Sequence, residues 1–129
     1  MIIRRGAIYL AALDPTLGHE IAKTRPVLVV SNDKNNQFSG TVTVLPISSR
    51  TLEKTYPFEV GVPKCGGGLP KASKIKADQI RTLDKKRLIK SIGTLSDELM
   101  AAADRAVKIH LGLDWSDAAH IDPEPPSGW

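Results

Sequence analysis

Lys23-Thr24-Arg25-Pro26-Val27-Leu28-Val29-Val30-Ser31-Asn32 decides how this chain folds. Val27 to Val30 are four consecutive aliphatic residues, the pattern of a strand buried on both faces. Arg25 stands just outside that run, and Pro26 restricts its backbone. A permanently charged guanidinium held at a strand entrance presents a planar fork of donors. That fork suits a phosphate or a carboxylate.

Working outward, strand patterns occupy residues 4–13, 25–31, 40–48 and 55–62, the last demoted to an edge or bulge by Pro57. A bent strand follows at 73–83 and a short one at 88–92. Asn32-Asp33-Lys34-Asn35-Asn36 reads as a polar turn, and residues 84–87 as a turn or short helical piece. Cys65-Gly66-Gly67-Gly68 reads as a flexible connection. One helix is marked at both ends. Ser96 is an N-cap with Asp97 and Glu98 in the first turn, and Gly112 is a C-terminal cap. Leu99, Ala103, Ala106, Val107 and His110 follow helical spacing between them. Many short strands with one terminal helix predict a mainly β (α+β) fold, a small, strongly bent barrel carrying that helix.

At 129 residues and 41% hydrophobic content the chain suits one domain with its own core. Its one cysteine, Cys65, excludes an internal disulfide and suits a reducing cytoplasm. Arg4-Arg5 before an apolar run has the look of a signal peptide. The run is short, stops at Asp14-Pro15 and lacks a small-residue cleavage site, so it reads as a first strand. No run is long enough to span a membrane. All 18 Lys and Arg lie at or before Lys108, whereas four of the 14 acids follow Leu113. The body 1–113 is therefore basic and the proline-containing tail 114–129 acidic. A basic body fits an anionic partner, nucleic acid first, and equally an ordinary soluble surface.

Polar groups gather at strand ends: Arg25, then Ser48-Ser49-Arg50, then Gln79 and Arg81. His19, His110 and His120 are far apart and lack a cysteine cluster, so no metal-ligand spacing exists. His110 on the apolar side of the helix reads as a packed or dipole-stabilised histidine. The glycines after Cys65 lack the spacing of a phosphate loop. Taken singly, Arg25 reads first as a surface charge pairing with Glu20 or Asp78, and Ser48 by default as a strand-end turn residue.

Several motifs occur in order: Arg5-Gly6-Ala7-Ile8-Tyr9-Leu10, Asp14-Pro15-Thr16-Leu17-Gly18-His19-Glu20, Lys23-Thr24-Arg25-Pro26-Val27, Pro46-Ile47-Ser48-Ser49-Arg50, Asp78-Gln79-Ile80-Arg81-Thr82 and Leu111-Gly112-Leu113. Together, over residues 2–113, they resemble the MazF/PemK toxin endoribonucleases of type II toxin-antitoxin systems. The resemblance implies an SH3-like, CcdB/PemK-type barrel acting as a homodimer. It implies cofactor-free and metal-independent, sequence-specific cleavage of single-stranded RNA, mainly messenger RNA, to a 2′,3′-cyclic phosphate and a 5′-hydroxyl. It implies a cognate antitoxin whose acidic C-terminal segment covers the RNA groove. By the same resemblance Arg25 and Ser48 are the catalytic residues, with serine in place of the family's usual threonine.

Arg25 suits phosphorane stabilisation and proton donation, and is a poor base because a guanidinium stays protonated. The general base is unassigned, with Glu20 a weak candidate. Thr16, Leu17, Glu20 and Lys23 of the first loop, Ser49, Arg50 and Tyr56 of the loop after the third strand, and Gln79 and Arg81 are candidate RNA-binding residues. Gln79 and Arg81 could equally serve to structure the sheet. Single-strand reading normally uses aromatic or arginine faces. At 5% aromatic content, Tyr56, Phe58 and Arg50 would have to supply them. Two other functions share these features: a CcdB-like gyrase-binding poison without catalysis, and a non-catalytic nucleic-acid-binding barrel. The acidic tail is either a solvated extension or a segment folded over the basic groove.

Overall fold

Seven strands and two helices make up the computed structural model, which describes residues 2–113. The acidic tail, and with it the reading that it covers the groove, lies outside the described residues. In chain order the elements are β1 (Ala7–Ala12), β2 (Thr24–Val29), α1 (Asp33–Phe38), β3 (Thr41–Ser48), β4 (Glu59–Val62), β5 (Ser73–Lys76), β6 (Arg81–Asp84), β7 (Leu88–Thr94) and α2 (Asp97–Leu111). The strands form one antiparallel sheet in the order β4-β5-β3-β2-β1-β7, with β6 also on β3.

The aliphatic run of β2 lies between β1 and β3, as its composition predicts. Val27, Leu28 and Val29 are all fully buried. Val27 and Val29 face a cluster with Tyr9, Ala11, Val42, Val44 and Leu83. Leu28 faces the opposite cluster with Ile8, Leu45, Ile47, Phe58, Leu69, Ile75 and the helical Ala103 and Ala106. Each such side chain contributes about 1.5–3 kcal/mol when buried, which is why the run shows no polar alternation. The helix α2 has the expected ends. Ser96 Oγ accepts from the Leu99 N–H at 3.2 Å, and Gly112 takes a left-handed φ of 70°. Ala103, Ala106 and Ile109 form its buried stripe. The mainly β fold with a C-terminal helix is thus the fold observed. The sheet does not close on itself. Instead, α2 packs against β4 and the turn at Ala77–Gln79, so side-chain burial covers that end of the core.

Four local readings of the sequence need correction. The polar cluster at 32–36 begins a six-residue helix, α1. Asn32 caps it by accepting from the Asn35 N–H at 2.8 Å, and Asn36 is buried against Ser31. The strand expected at 55–62 starts only at Glu59, because Pro57 withholds a ladder donor. The bent strand at 73–83 is two strands separated by the 3₁₀ turn Ala77–Gln79. Ile75 stands opposite Ile47 and Arg81 opposite Val44, so the pairing slips by three residues across that turn.

The glycine run after Cys65 is the fourth correction. It is a locked crossing, not a flexible link. Gly67 and Gly68 have φ of +60° and +84°, and the Gly66–Gly68 turn lies against β7. A Cβ on Gly93 of β7 would stand 2.3 Å from the Gly67 carbonyl oxygen. Backbone meets backbone there, so neither side can yield cheaply. Gly93→Ala is expected to lose about 1–3 kcal/mol or more in denaturant unfolding. Gly61→Ala, with nothing within 4 Å of its added carbon, should stay within about 0.5 kcal/mol of wild type.

Candidate active site

β3 bonds to β2 along one edge and to β5 along the other, with Val27 opposite Pro46 and Ser48 opposite Lys74. The β2–β3 register, continued outward, sets Arg25 across from Ser48. The two residues line one cleft of about 410 Å³. Ser49 and Arg50 line it too, with Thr24 and Pro26 on the β2 side and Leu69, Pro70, Lys71 and Ser73 opposite.

Arg25 is half-buried, and its Nη1 donates to the Thr24 carbonyl at 3.1 Å. No ion pair to Glu20 or Asp78 forms among the described residues. Ser48 Oγ accepts from the Arg50 N–H at 3.1 Å. That bond restrains the hydroxyl's rotamer, as the extra methyl of a threonine would. The Ser48 O–H remains a donor toward the cleft. Arg50 and Lys71 are exposed at the rim. Among the described residues the cleft lining includes three cations and no carboxylate or imidazole. A bound phosphate would meet a guanidinium fork, a hydroxyl and two further positive charges.

The other candidates from the sequence are placed elsewhere. Glu20, the weak candidate for a base, is outside the cleft lining, and its Oε1 accepts from the Leu17 N–H at 2.7 Å. Thr16, Leu17 and Lys23 stay on the loop between β1 and β2, with Leu17 81% exposed. Gln79 holds that loop: its Oε1 accepts from the Ile21 N–H and its Nε2 donates to the His19 carbonyl, each at 3.1 Å. Arg81 lies in β6 across from Val44, with Nη1 buried and unbonded among the described residues. Asp78 also buries an unbonded oxygen, and burial pushes its carboxyl above the usual range. Tyr56 stacks on Phe58 at 5.7 Å between centroids, while the Lys54 ammonium sits 4.9 Å over its ring. The Tyr56 ring therefore packs against Phe58 and the Lys54 ammonium. His110 has a packing role, with its ring 6.2 Å from that of Phe58.

Sequence reasoning missed Lys71 and a buried charge cluster beside Ser48. Glu59 on β4 takes Lys74 Nζ at 3.0 Å and Lys76 Nζ at 3.1 Å, both from β5. The Glu59 side chain is 2% exposed and that of Lys74 5%. Glu59 also accepts from the Tyr56 N–H at 3.1 Å, and Lys74 donates to the Lys54 carbonyl at 3.3 Å. Burial alone would raise the Glu59 carboxyl. The Tyr56 N–H and the Lys74 and Lys76 ammoniums outweigh it, and the carboxyl ends below its ordinary value.

Residues 4–111 match the family described as PemK-like, MazF-like toxin of type II toxin-antitoxin system, and the chain belongs to that family. Among solved structures it is similar to MazF (Form-I) from Deinococcus radiodurans, with 28% identity and a TM-score of 0.75 over 87% of this chain and 98% of that one. It is also similar to the Mycobacterium tuberculosis toxin MazF-mt6, at 28% identity and a TM-score of 0.71 over 84% and 99% of the two chains. A third is an endoribonuclease in complex with its cognate antitoxin from a mycobacterial species. There the identity is 26% and the TM-score 0.72, over 88% of this chain and 98% of that one.

The charge cluster has a testable sign. A carboxyl with a lowered folded pKa gives stability that is complete above its unfolded pKa. That stability drains away as pH falls through the lowered value. Urea unfolding should show Glu59→Gln about 3–5 kcal/mol less stable at neutral pH, since two ammoniums lose their counter-charge. The deficit should shrink as the pH is lowered through the acid range.

Proposed function

We propose that this chain is the toxin of a toxin-antitoxin pair and acts as an endoribonuclease on single-stranded RNA, messenger RNA foremost. The observation that carries the reading is the convergence of Arg25 and Ser48 on one cation-rich cleft in a chain of the PemK-like, MazF-like toxin family. Endoribonucleases among its structural neighbours support it. A gyrase-binding poison would need no such pairing of hydroxyl and guanidinium.

The reaction consistent with these groups uses the RNA's own 2′-oxygen as nucleophile. That oxygen bonds to the adjacent phosphorus as the bond from phosphorus to the 5′-oxygen breaks. A 2′,3′-cyclic phosphate and a 5′-hydroxyl result. Arg25 stabilises the charge that builds on the non-bridging oxygens and can hand a proton to the departing 5′-oxygen. Ser48 donates to a phosphate oxygen. Arg50 and Lys71 hold the flanking backbone. Among the described residues no lining side chain suits the role of base, and in this reading the 2′-OH proton passes to solvent. Leu17, Lys23 and the rest of the first loop extend the surface on which bases are read.

The toxin would act in the cytoplasm as a homodimer. Among the described residues no helix is long and apolar enough to cross a membrane. A cognate antitoxin fits the same cleft if it presents acidic side chains where phosphates would otherwise lie. An antitoxin complex among the structural neighbours supports that partner.

Purified protein incubated with mixed RNA in EDTA should cut at a short recurring sequence. Arg25→Ala should lower kcat/KM by at least about 100-fold, the scale of one lost transition-state donor. Arg25→Lys should recover only part of it, because the fork is lost while the charge is kept. Ser48→Ala should lower kcat, while Ser48→Thr restores it. RNA left intact by wild type would favour a binding-only poison, and RNA cut equally by Arg25→Ala would contradict the assignment of Arg25.

A further inference from the structure

Residues 49–55 are exposed and carry Arg50 to the cleft rim, without regular secondary structure. Four hydrogen bonds at three points tie this stretch and its continuation to Tyr56 down to the sheet. At its start the Arg50 N–H donates to Ser48 Oγ. In its middle the Lys54 carbonyl accepts from Lys74 Nζ. At its end the Tyr56 N–H donates to Glu59 Oε1, and the Tyr56 carbonyl accepts from the Glu59 N–H at 2.8 Å. Lys74 stands directly across the ladder from Ser48, and Glu59 across from Lys76. Lys74 therefore projects from the same sheet face as Ser48, beside the site, and the ions hold the loop that forms one of its walls.

We propose that Lys74, held by Glu59, is a positioning residue that fixes the 49–56 loop and so sets where Arg50 meets the RNA backbone. The inference rests on the ribonuclease reading above. Lys74 is too buried to touch RNA itself, at 5% exposure. A buried ion pair is weak evidence for stability, since apolar residues of like volume would serve as well. Here the pair does something a leucine could not. Lys74 has three protons to give. Glu59 takes one, and another goes to a main-chain carbonyl 20 residues away in sequence. Lys76 gives the comparison that separates positioning from simple stability. It pairs with the same carboxylate, through Oε2, and among the described residues makes no bond to the loop.

The test compares Lys74→Met with Lys76→Met. Each removes one ammonium from Glu59 and leaves the other in place. Lys74→Met alone should raise KM for an oligoribonucleotide by about 5–10-fold, with kcat changed less than about threefold, the signature of lost binding. Trypsin should also cut after Arg50 and Lys54 faster in Lys74→Met, while cutting at the Lys85-Lys86 turn keeps its wild-type rate. Lys76→Met should change neither, even at a matched loss of Tm. If Lys74→Met does not fold, the double variants Glu59→Leu/Lys74→Met and Glu59→Leu/Lys76→Met carry the comparison, since both lack the Tyr56 anchor and only the first also loses the Lys54 bond. Equal KM changes in the two lysine variants, or unchanged loop proteolysis in Lys74→Met, would overturn the proposal. If wild-type protein cuts no RNA, the ribonuclease reading falls, and the trypsin comparison still decides whether Lys74 holds the loop.

Discussion

The double pairing of β3 is the constraint on which the structure depends. One eight-residue strand, Thr41–Ser48, bonds to β2 along one edge and to β6 and then β5 along the other. A strand with both edges used is mostly apolar along its middle: Val42, Val44, Leu45 and Ile47 are buried, with the half-buried Thr43 among them. It must also bend, because its partners on the second edge differ in register by three residues. Antiparallel pairing sets the β3 terminus beside the start of β2. Burial falls off at that end, and there the half-buried Ser48 and Arg25 are found. The position of the site follows from where burial ends.

Electrostatics then sorts the cations by role. Lys74 and Lys76 are neutralised in the interior by Glu59, at the cost of desolvating all three charges. Arg25, Arg50 and Lys71 face the cleft with no carboxylate beside them in its lining. Attraction between unit charges weakens about as the product of distance and dielectric, so a half-buried guanidinium acts more strongly on a phosphate than a fully solvated one. Arg25 is half-buried and Arg50 exposed. In the proposed function the chemistry accordingly falls to Arg25 and the weaker, screened backbone contacts to Arg50 and Lys71.

Much of this was legible in the sequence because it depended on local rules. The Val27–Val30 run demanded burial on two faces, and Ser96 and Gly112 marked both ends of α2. The ordered motifs pointed to the toxin family. What was not legible depended on partners distant in the chain. Asn32 is an N-cap as much as a turn residue, and only burial of Asn36 against Ser31 decides for a helix. The three glycines after Cys65 read as flexible until Gly93 is known to lie against them. Lys74 and Lys76, two apart on a strand, do signal like charges on one face in need of a carboxylate. Glu59 could not be named as that carboxylate without the β4–β5 register. Gln79 was balanced between groove and scaffold, and its two bonds to the first loop give it a scaffold role.

The central claim is that the cleft directs the RNA's own 2′-oxygen at the neighbouring phosphate. An oligoribonucleotide containing the cleaved sequence, with a single 2′-deoxy sugar on the 5′ side of the scissile bond, tests it directly. The account predicts binding close to that of the all-ribose strand and no cleavage at that bond. Cleavage of the substituted strand at the all-ribose rate would contradict it, since the attacking oxygen would then have to come from elsewhere.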